Sequence, residues 1–205
     1  MDDKYLKDIS DIKNMMNKSS QFISLSGLGG IMAGVYALVG AFTAHELIEN
    51  NNNAHDINNI TLESTTFKLI VLTALAVLFL SIATAILLTY NKTKKEGDTI
   101  WNSTSKRLLT NFLIPLVTGG IFGILLLRNE SYGLIAPVTL IFYGLSCVNA
   151  SKYTLRDVRY LGITIIIIGL LATEFSGYAI EFWALGFGIC HIVYGSMMYF
   201  KYDRN

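Results

Sequence analysis

The sequence predicts an all-α integral membrane protein with six transmembrane helices paired as three antiparallel hairpins, both termini lying in the cytoplasm. Three observations predict it. Five apolar stretches, at 22–44, 67–90, 108–127, 132–150 and 179–200, have about the 20 residues a helix needs to cross hydrocarbon, and a shorter sixth lies at 160–173. Lys and Arg collect in every second connection. The composition, 52% hydrophobic and 15% charged over 205 residues, holds more apolar surface than a soluble domain of this size can bury.

Residues 1–20 form a polar preface with Tyr5, Ile9, Ile12 and Met16 at helical spacing. They read as a cytoplasmic amphipathic segment, lying on the membrane or docking on a cytoplasmic protein partner, ahead of a six-span bundle over 21–205. The first apolar stretch is too long, and its polar preface too extended, for a cleavable signal peptide. It places Gly30/Gly34 and Ala33/Ala37/Ala41 four residues apart, so neighbouring backbones can approach it closely. That predicts a helix at the centre of the bundle or at a contact between copies in a homo-oligomer. A phosphate-cradling glycine loop would need a preceding strand, and none is present in the pattern.

The connection over 46–66 is rich in Asn and predicted to be irregular. His45, Glu46, His55 and Asp56 gather there as weak candidate metal ligands. His45-Glu46-Leu47-Ile48-Glu49 opens like a zinc-protease helix, but Glu49 stands where the second His belongs. The next connection is basic, with Lys92, Lys94, Lys95, Lys106 and Arg107, and Trp101 is expected at the interface. Pro115 and Pro137 fall inside the third and fourth stretches, where each removes a donor and can kink its helix; with Gly119-Gly120, Pro115 could open a discontinuity of the kind that lines transporter sites.

Lys152, Arg156 and Arg159 form the fourth connection, and Lys201 and Arg204 the tail. The opposite side holds only Lys68 and Arg128, so the alternation of charge holds at every crossing. The stretch 160–173 spans if Arg159 snorkels or the bilayer thins locally. Ile141-Phe142-Tyr143-Gly144 before Lys152-Tyr153 echoes Ile192-Val193-Tyr194-Gly195 before Lys201-Tyr202, either as a duplicated hairpin or as coincidence in apolar sequence.

His191 is the most informative residue. It stands ten residues from both Glu181 and Lys201, about 15 Å from each at helical rise, and so near the bilayer midplane. An ionisable group at that depth usually faces the bundle interior or a wet cavity. Its helical neighbours include Phe187, Gly188, Tyr194 and Gly195. It is either a proton-relaying or pH-sensing group, or a neutral ring bonded to Ser, Thr, Asn or Tyr of another helix. Glu174 and Glu181 flank one tight turn and, if partly desolvated, could share a proton or hold a cation. Gly169, Gly186, Gly188 and Gly195 make the last hairpin resemble the HdeD-like family of small six-span bacterial inner-membrane proteins linked to acid stress, although Glu174-Phe175-Ser176-Gly177 replaces that family's usual Pro turn.

Cys147 and Cys190 lie inside apolar stretches and imply no disulfide framework. A net charge of +1 gives no case for nucleic acid. No catalytic motif calls for an enzyme, and no cofactor is expected. The Asn-, Ile- and Lys-rich, Pro-poor composition is that of AT-rich bacterial genomes, and together with the apolar spans it gives the expectation of a bacterial inner membrane. The leading expectation is a non-enzymatic sensing, scaffolding or modulating membrane protein. Its rivals are a small proton-linked transporter using His191 with Glu174 and Glu181, and a metal or haem enzyme using His45, His55 and His191.

Overall fold

The computed structural model describes residues 22, 25–50, 64–95, 97 and 100–204. These are helical almost throughout: α1 (Gly27–Glu49), α2 (Thr65–Lys95), α3 (Ser103–Arg128), α4 (Ile135–Ala150), α5 (Asp157–Glu174), α6 (Ala179–Trp183) and α7 (Cys190–Met198). A π-helical segment, Ala184–Ile189, joins α6 to α7, and a second, Tyr199–Asp203, continues α7. Five runs are long and apolar enough to cross a membrane: Gly27–Glu49, Thr65–Lys95, Ser103–Arg128, Tyr132–Tyr153 and Ser176–Asp203. Helix α5 is outside that set because its 18 residues include Asp157, Arg159 and Glu174, which shorten its apolar part. The amphipathic preface lies outside the described residues, and so does 51–63 of the connection expected to be irregular over 46–66, with His55 and Asp56; the flanks of that connection are helical instead, 46–49 closing α1 and 65–66 opening α2.

Helix α1 lies between α2 and the last run, and α4 lies between α3 and α5; α5 also packs on the last run. The largest apolar core fills the space between α4, α5 and the last run, where Leu140, Leu161, Ile165, Ile168 and Ala172 are buried against Phe182, Trp183 and Phe187. Helices α2 and α3 stand at the edges with apolar side chains outward, among them Leu72, Phe79 and Ile86 on α2 and Ile114, Ile121 and Ile124 on α3.

Missing side chains set the closest crossings. A Cβ added to Gly34 would stand 2.6 Å from the Gly188 carbonyl, and one on Gly195 would stand 2.6 Å from the Gly27 carbonyl. Gly30 faces the Gly195 Cα, while Ala37 and Ala41 are buried in the same helix. Gly144 and Gly162 make the equivalent crossing of α4 on α5, each in the path of the other's carbonyl. Such contact is how helices associate where apolar burial no longer distinguishes protein from lipid.

One end of the bundle is fastened by polar contacts. The Asp203 carboxylate accepts from the Gly27 N–H at 2.8 Å and pairs with Lys92 at 2.7 Å, and Lys92 also donates to the Leu25 carbonyl. It caps α1 from the far end of the chain, holding the start of α1, the end of α2 and the end of the last run together. Asp157 at the start of α5 accepts from both Lys201 and Tyr202 at 3.0 Å. Phe22 N–H donates to the Tyr153 carbonyl at 2.8 Å, and the Thr154 hydroxyl donates to the Phe22 carbonyl at 2.7 Å.

These contacts explain a difference from the predicted boundaries. The first apolar stretch was expected at 22–44, but its helix is Gly27–Glu49, five residues further on. Phe22 gives its backbone to the 153–154 turn, and Asp203 supplies the acceptor that lets the helix begin at Gly27. Helix α3 begins earlier than expected because Asn102 and Ser105 form a reciprocal capping box.

The two prolines part company. Pro137 is the third residue of α4, where a missing N–H leaves no helical bond unmade, so the kink expected there has no cause. Pro115 lies inside the continuous helix α3 and cannot donate to the carbonyl four residues back, that of Asn111. That carbonyl instead accepts from Asn149 Nδ2 of α4 at 2.8 Å. The backbone defect in one helix is thus satisfied by the side chain of its neighbour. Asn149→Ala is expected to lower stability by about 1–2 kcal/mol in the native background and by far less in Pro115→Ala, where the helix supplies its own donor. Thermal unfolding of the four-member cycle in mild detergent checks this; equal losses in both backgrounds would refute the pairing.

Candidate intramembrane histidine site

His191 is buried in α7, with 6% of its surface exposed. Its ring Nδ1 lies 3.1 Å from the Gly186 carbonyl, five residues back in the π-helical segment. A carbonyl only accepts, so Nδ1 carries the hydrogen. Nε2 is then the acceptor, and the Tyr143 hydroxyl of α4 donates to it at 2.7 Å. Both nitrogens of a neutral imidazole are therefore satisfied within the bundle.

The local sequence builds this arrangement. A π turn places one extra residue in the helix and loosens the regular pairing of its carbonyls. Here Gly186 takes the ring N–H, and its lack of a side chain lets Leu140 of α4 pack directly on it, 2.5 Å from where a Cβ would be. Aromatic rings enclose the pair. Phe187 stacks on His191 at 5.9 Å and meets Tyr143 edge-on at 5.0 Å, while Trp183 covers Phe187 and Phe112 covers Tyr143.

Tyr194, one turn beyond His191, is placed differently. Its hydroxyl oxygen is buried and has no hydrogen-bond partner among the described residues. Tyr143 and Tyr194 occupy matching places in the echoed segments, and so do the glycines that follow them: Gly144 crosses α5 and Gly195 crosses α1. One tyrosine is bonded and the other is not.

The acidic candidates lie elsewhere. Glu174 and Glu181 are both exposed, on either side of the turn at Ser176–Tyr178, which Phe175 and Phe182 brace by stacking at 6.4 Å. Among the described residues no hydrogen bond or ion pair joins them to each other or to His191. Glu181 lines a shallow, open cleft with Phe175, Tyr178, Phe182 and Leu185. His45 pairs with Glu49 at 3.4 Å on the exposed end of α1, and Glu46 is exposed beside it. No set of three metal-ligating side chains occurs among the described residues.

Of the two readings the sequence left open for His191, one gave it a Ser, Thr, Asn or Tyr partner on another helix, without identifying Tyr143. Sequence reasoning passed over Asp203, Asp157 and Asn149 altogether. The one available signal was the echo, which sets Tyr143 opposite Tyr194.

The contrast between the tyrosines is measurable. Tyr143→Phe strands the Nε2 acceptor and is expected to cost about 1–2 kcal/mol, whereas Tyr194→Phe removes a hydroxyl with no partner among the described residues and is expected to be neutral or stabilising. Melting temperatures of both variants in one detergent check this; a Tyr194→Phe loss as large as that of Tyr143→Phe would refute it.

No family model matches the chain, its last two helical segments included, and neither the curated proteins nor the solved structures yield a match.

Proposed function

We propose that the chain is a six-span protein of a bacterial inner membrane, arranged as three hairpins with both termini cytoplasmic, and that it senses, scaffolds or modulates without catalysing a reaction. One observation carries the topology. The starts of α1, α3 and α5 and the ends of α2, α4 and the last run share one end of the bundle, and nearly all the cations of the connections sit there. Lys94, Lys95, Lys106, Arg107, Lys152, Arg156, Arg159 and Arg204 are all exposed at that end, whereas the other end holds Lys68 and Arg128. This asymmetry marks the cytoplasmic side of a membrane protein.

Helix α5 crosses with the others in this reading. Its 18 residues rise about 27 Å, close to the hydrocarbon thickness of about 30 Å, and its charges sit in its first and last turns. Packing against α4 and the last run shields much of it from lipid.

The bonding of His191 favours a static role over transport. A relay needs a ring that exchanges partners with water or substrate. This ring has one nitrogen on a backbone carbonyl and the other on a tyrosine, inside an aromatic cage.

Two measurements test the proposal. In a Cys147→Ala/Cys190→Ala background, a membrane-impermeant maleimide added to intact spheroplasts is expected to label Asn129→Cys and to spare Lys95→Cys until the cells are broken. Labelling in the reverse order would overturn the orientation. Proteoliposomes are expected to show no proton or cation flux above protein-free vesicles; flux that His191→Ala abolishes would establish the transport reading in its place.

A further inference from the structure

The start of α3 packs on the turn at Ser151–Tyr153, and α5 begins directly beyond it. This brings Lys106 and Arg107 of α3, Lys152 of the turn, and Arg156 and Arg159 at the start of α5 to one sector of the basic end. All five are exposed, and none forms an ion pair among the described residues. The described carboxylates of this end are already engaged: Asp157 with Lys201 and Tyr202, and Asp203 with Gly27 and Lys92. Lys92 and Lys201 in the neighbouring sector are thus paired within the fold, whereas these five have no ion-pair partner among the described residues.

Two further features describe what would neutralise them. Trp101 and Tyr160 stand beside the cations with 67% and 61% of their surfaces exposed, the position of rings at headgroup level. Within about two turns of these cations along the same two helices, Leu109 and Leu113 of α3 and Ile163 and Ile167 of α5 are exposed. A partner that fits carries an anionic group at the helix ends and long hydrocarbon beneath it. That is an amphiphile, and an acidic peptide satisfies only the first half of the description.

We infer that this sector is a binding surface for an acidic phospholipid, its phosphodiester held by Lys106, Arg107, Lys152, Arg156 and Arg159 and its acyl chains lying along α3 and α5. The inference rests on the transmembrane reading above. Basic pockets between helices on the cytoplasmic side suit such headgroups, and each Lys or Arg near the surface adds to the attraction. The N-termini of α3 and α5 add positive partial charge at the same level.

The test uses full-length protein in nanodiscs of phosphatidylcholine with a minor fraction of phosphatidylglycerol or cardiolipin. Lipid retained after exchange into detergent is counted by native mass spectrometry. Wild-type protein is expected to retain the acidic lipid over phosphatidylcholine. Lys152→Gln/Arg156→Gln/Arg159→Gln is expected to lose that preference by about tenfold or more, whereas Lys94→Gln/Lys95→Gln, on α2, is expected to keep it. Equal losses in both variants, or none in either, would overturn the site. Displacement of the lipid by millimolar inorganic phosphate would also overturn it, since the sector would then bind free anions. Circular dichroism of the triple variant separates lost binding from lost folding, and a folded Arg156→Lys/Arg159→Lys variant that restores retention supports the site. The maleimide experiment decides the orientation independently, so a failed lipid site and a failed topology give different results.

Discussion

The structure depends on one constraint: in hydrocarbon there is no water to complete a hydrogen bond, so the backbone and nearly every buried polar side chain are paired within the protein, the Tyr194 hydroxyl standing apart. An unsatisfied backbone group in that medium costs several kcal/mol. The chain obeys this at several scales. Thr73, Thr118, Ser146 and Thr173 each turn a hydroxyl back onto the carbonyl four residues earlier in their own helices. At Pro115 the helix cannot repair itself, and Asn149 supplies the donor from α4. At His191 the ring takes up one carbonyl of a π-helical turn and the hydroxyl of another helix. These interhelical bonds do more to fix which helix sits beside which, and in what register, than to raise total stability, because a helix separated in lipid finds other partners for its polar groups.

Glycine supplies what hydrogen bonds alone do not. Because lipid chains are as apolar as leucine, helices gain little by burying apolar side chains against each other, and dispersion between closely approaching backbones becomes the main attraction. The Gly34 and Gly195 contacts bring α1 against the last run, and the Gly144 and Gly162 contacts bring α4 against α5. Those two pairs form the interior, and α2 and α3 then clothe it. The order of packing therefore departs from the order of the chain: α1 is sandwiched between its sequence neighbour and the helix furthest from it in sequence. A small-residue stripe wide enough to accept two partners makes this arrangement possible, with Gly29 and Gly40 facing α2 and Gly27, Gly30 and Gly34 facing the last run.

What was legible in the sequence follows from the same physics. Long apolar runs are one-dimensional signals, so the five strongest stretches appear as helices with their ends displaced by a few residues. The small residues of α1 announced a close contact but not its partner, because Gly34 meets Gly188 across more than 150 positions of chain. Pro115 and Asn149 each carry an ordinary signal, a proline in a helix and a polar residue near a helix end. Their connection exists only once α3 and α4 are side by side. Asp203 carries no signal in one dimension, and only the folded bundle makes it the cap of α1. His191 was conspicuous because its depth follows from counting residues along one helix. Its partner was not, since depth says nothing of the facing helix.

Among the described residues the two ends of the bundle are held by different means. At the basic end, contacts through Asp203, Asp157 and Thr154 bind the first, second, fifth and last helical segments into one unit. At the other end, Ile48 rests among Phe67, Ile70 and Ile180, and Phe67 meets Tyr132 edge-on. Charge-assisted bonds are directional and hold one geometry, whereas apolar contacts can slide and repack at modest cost. The His191–Tyr143 bond joins α4 to the last run between these ends. At that location the buried imidazole fixes the register of α4 against the last run, midway between the charge-bonded end and the apolar one.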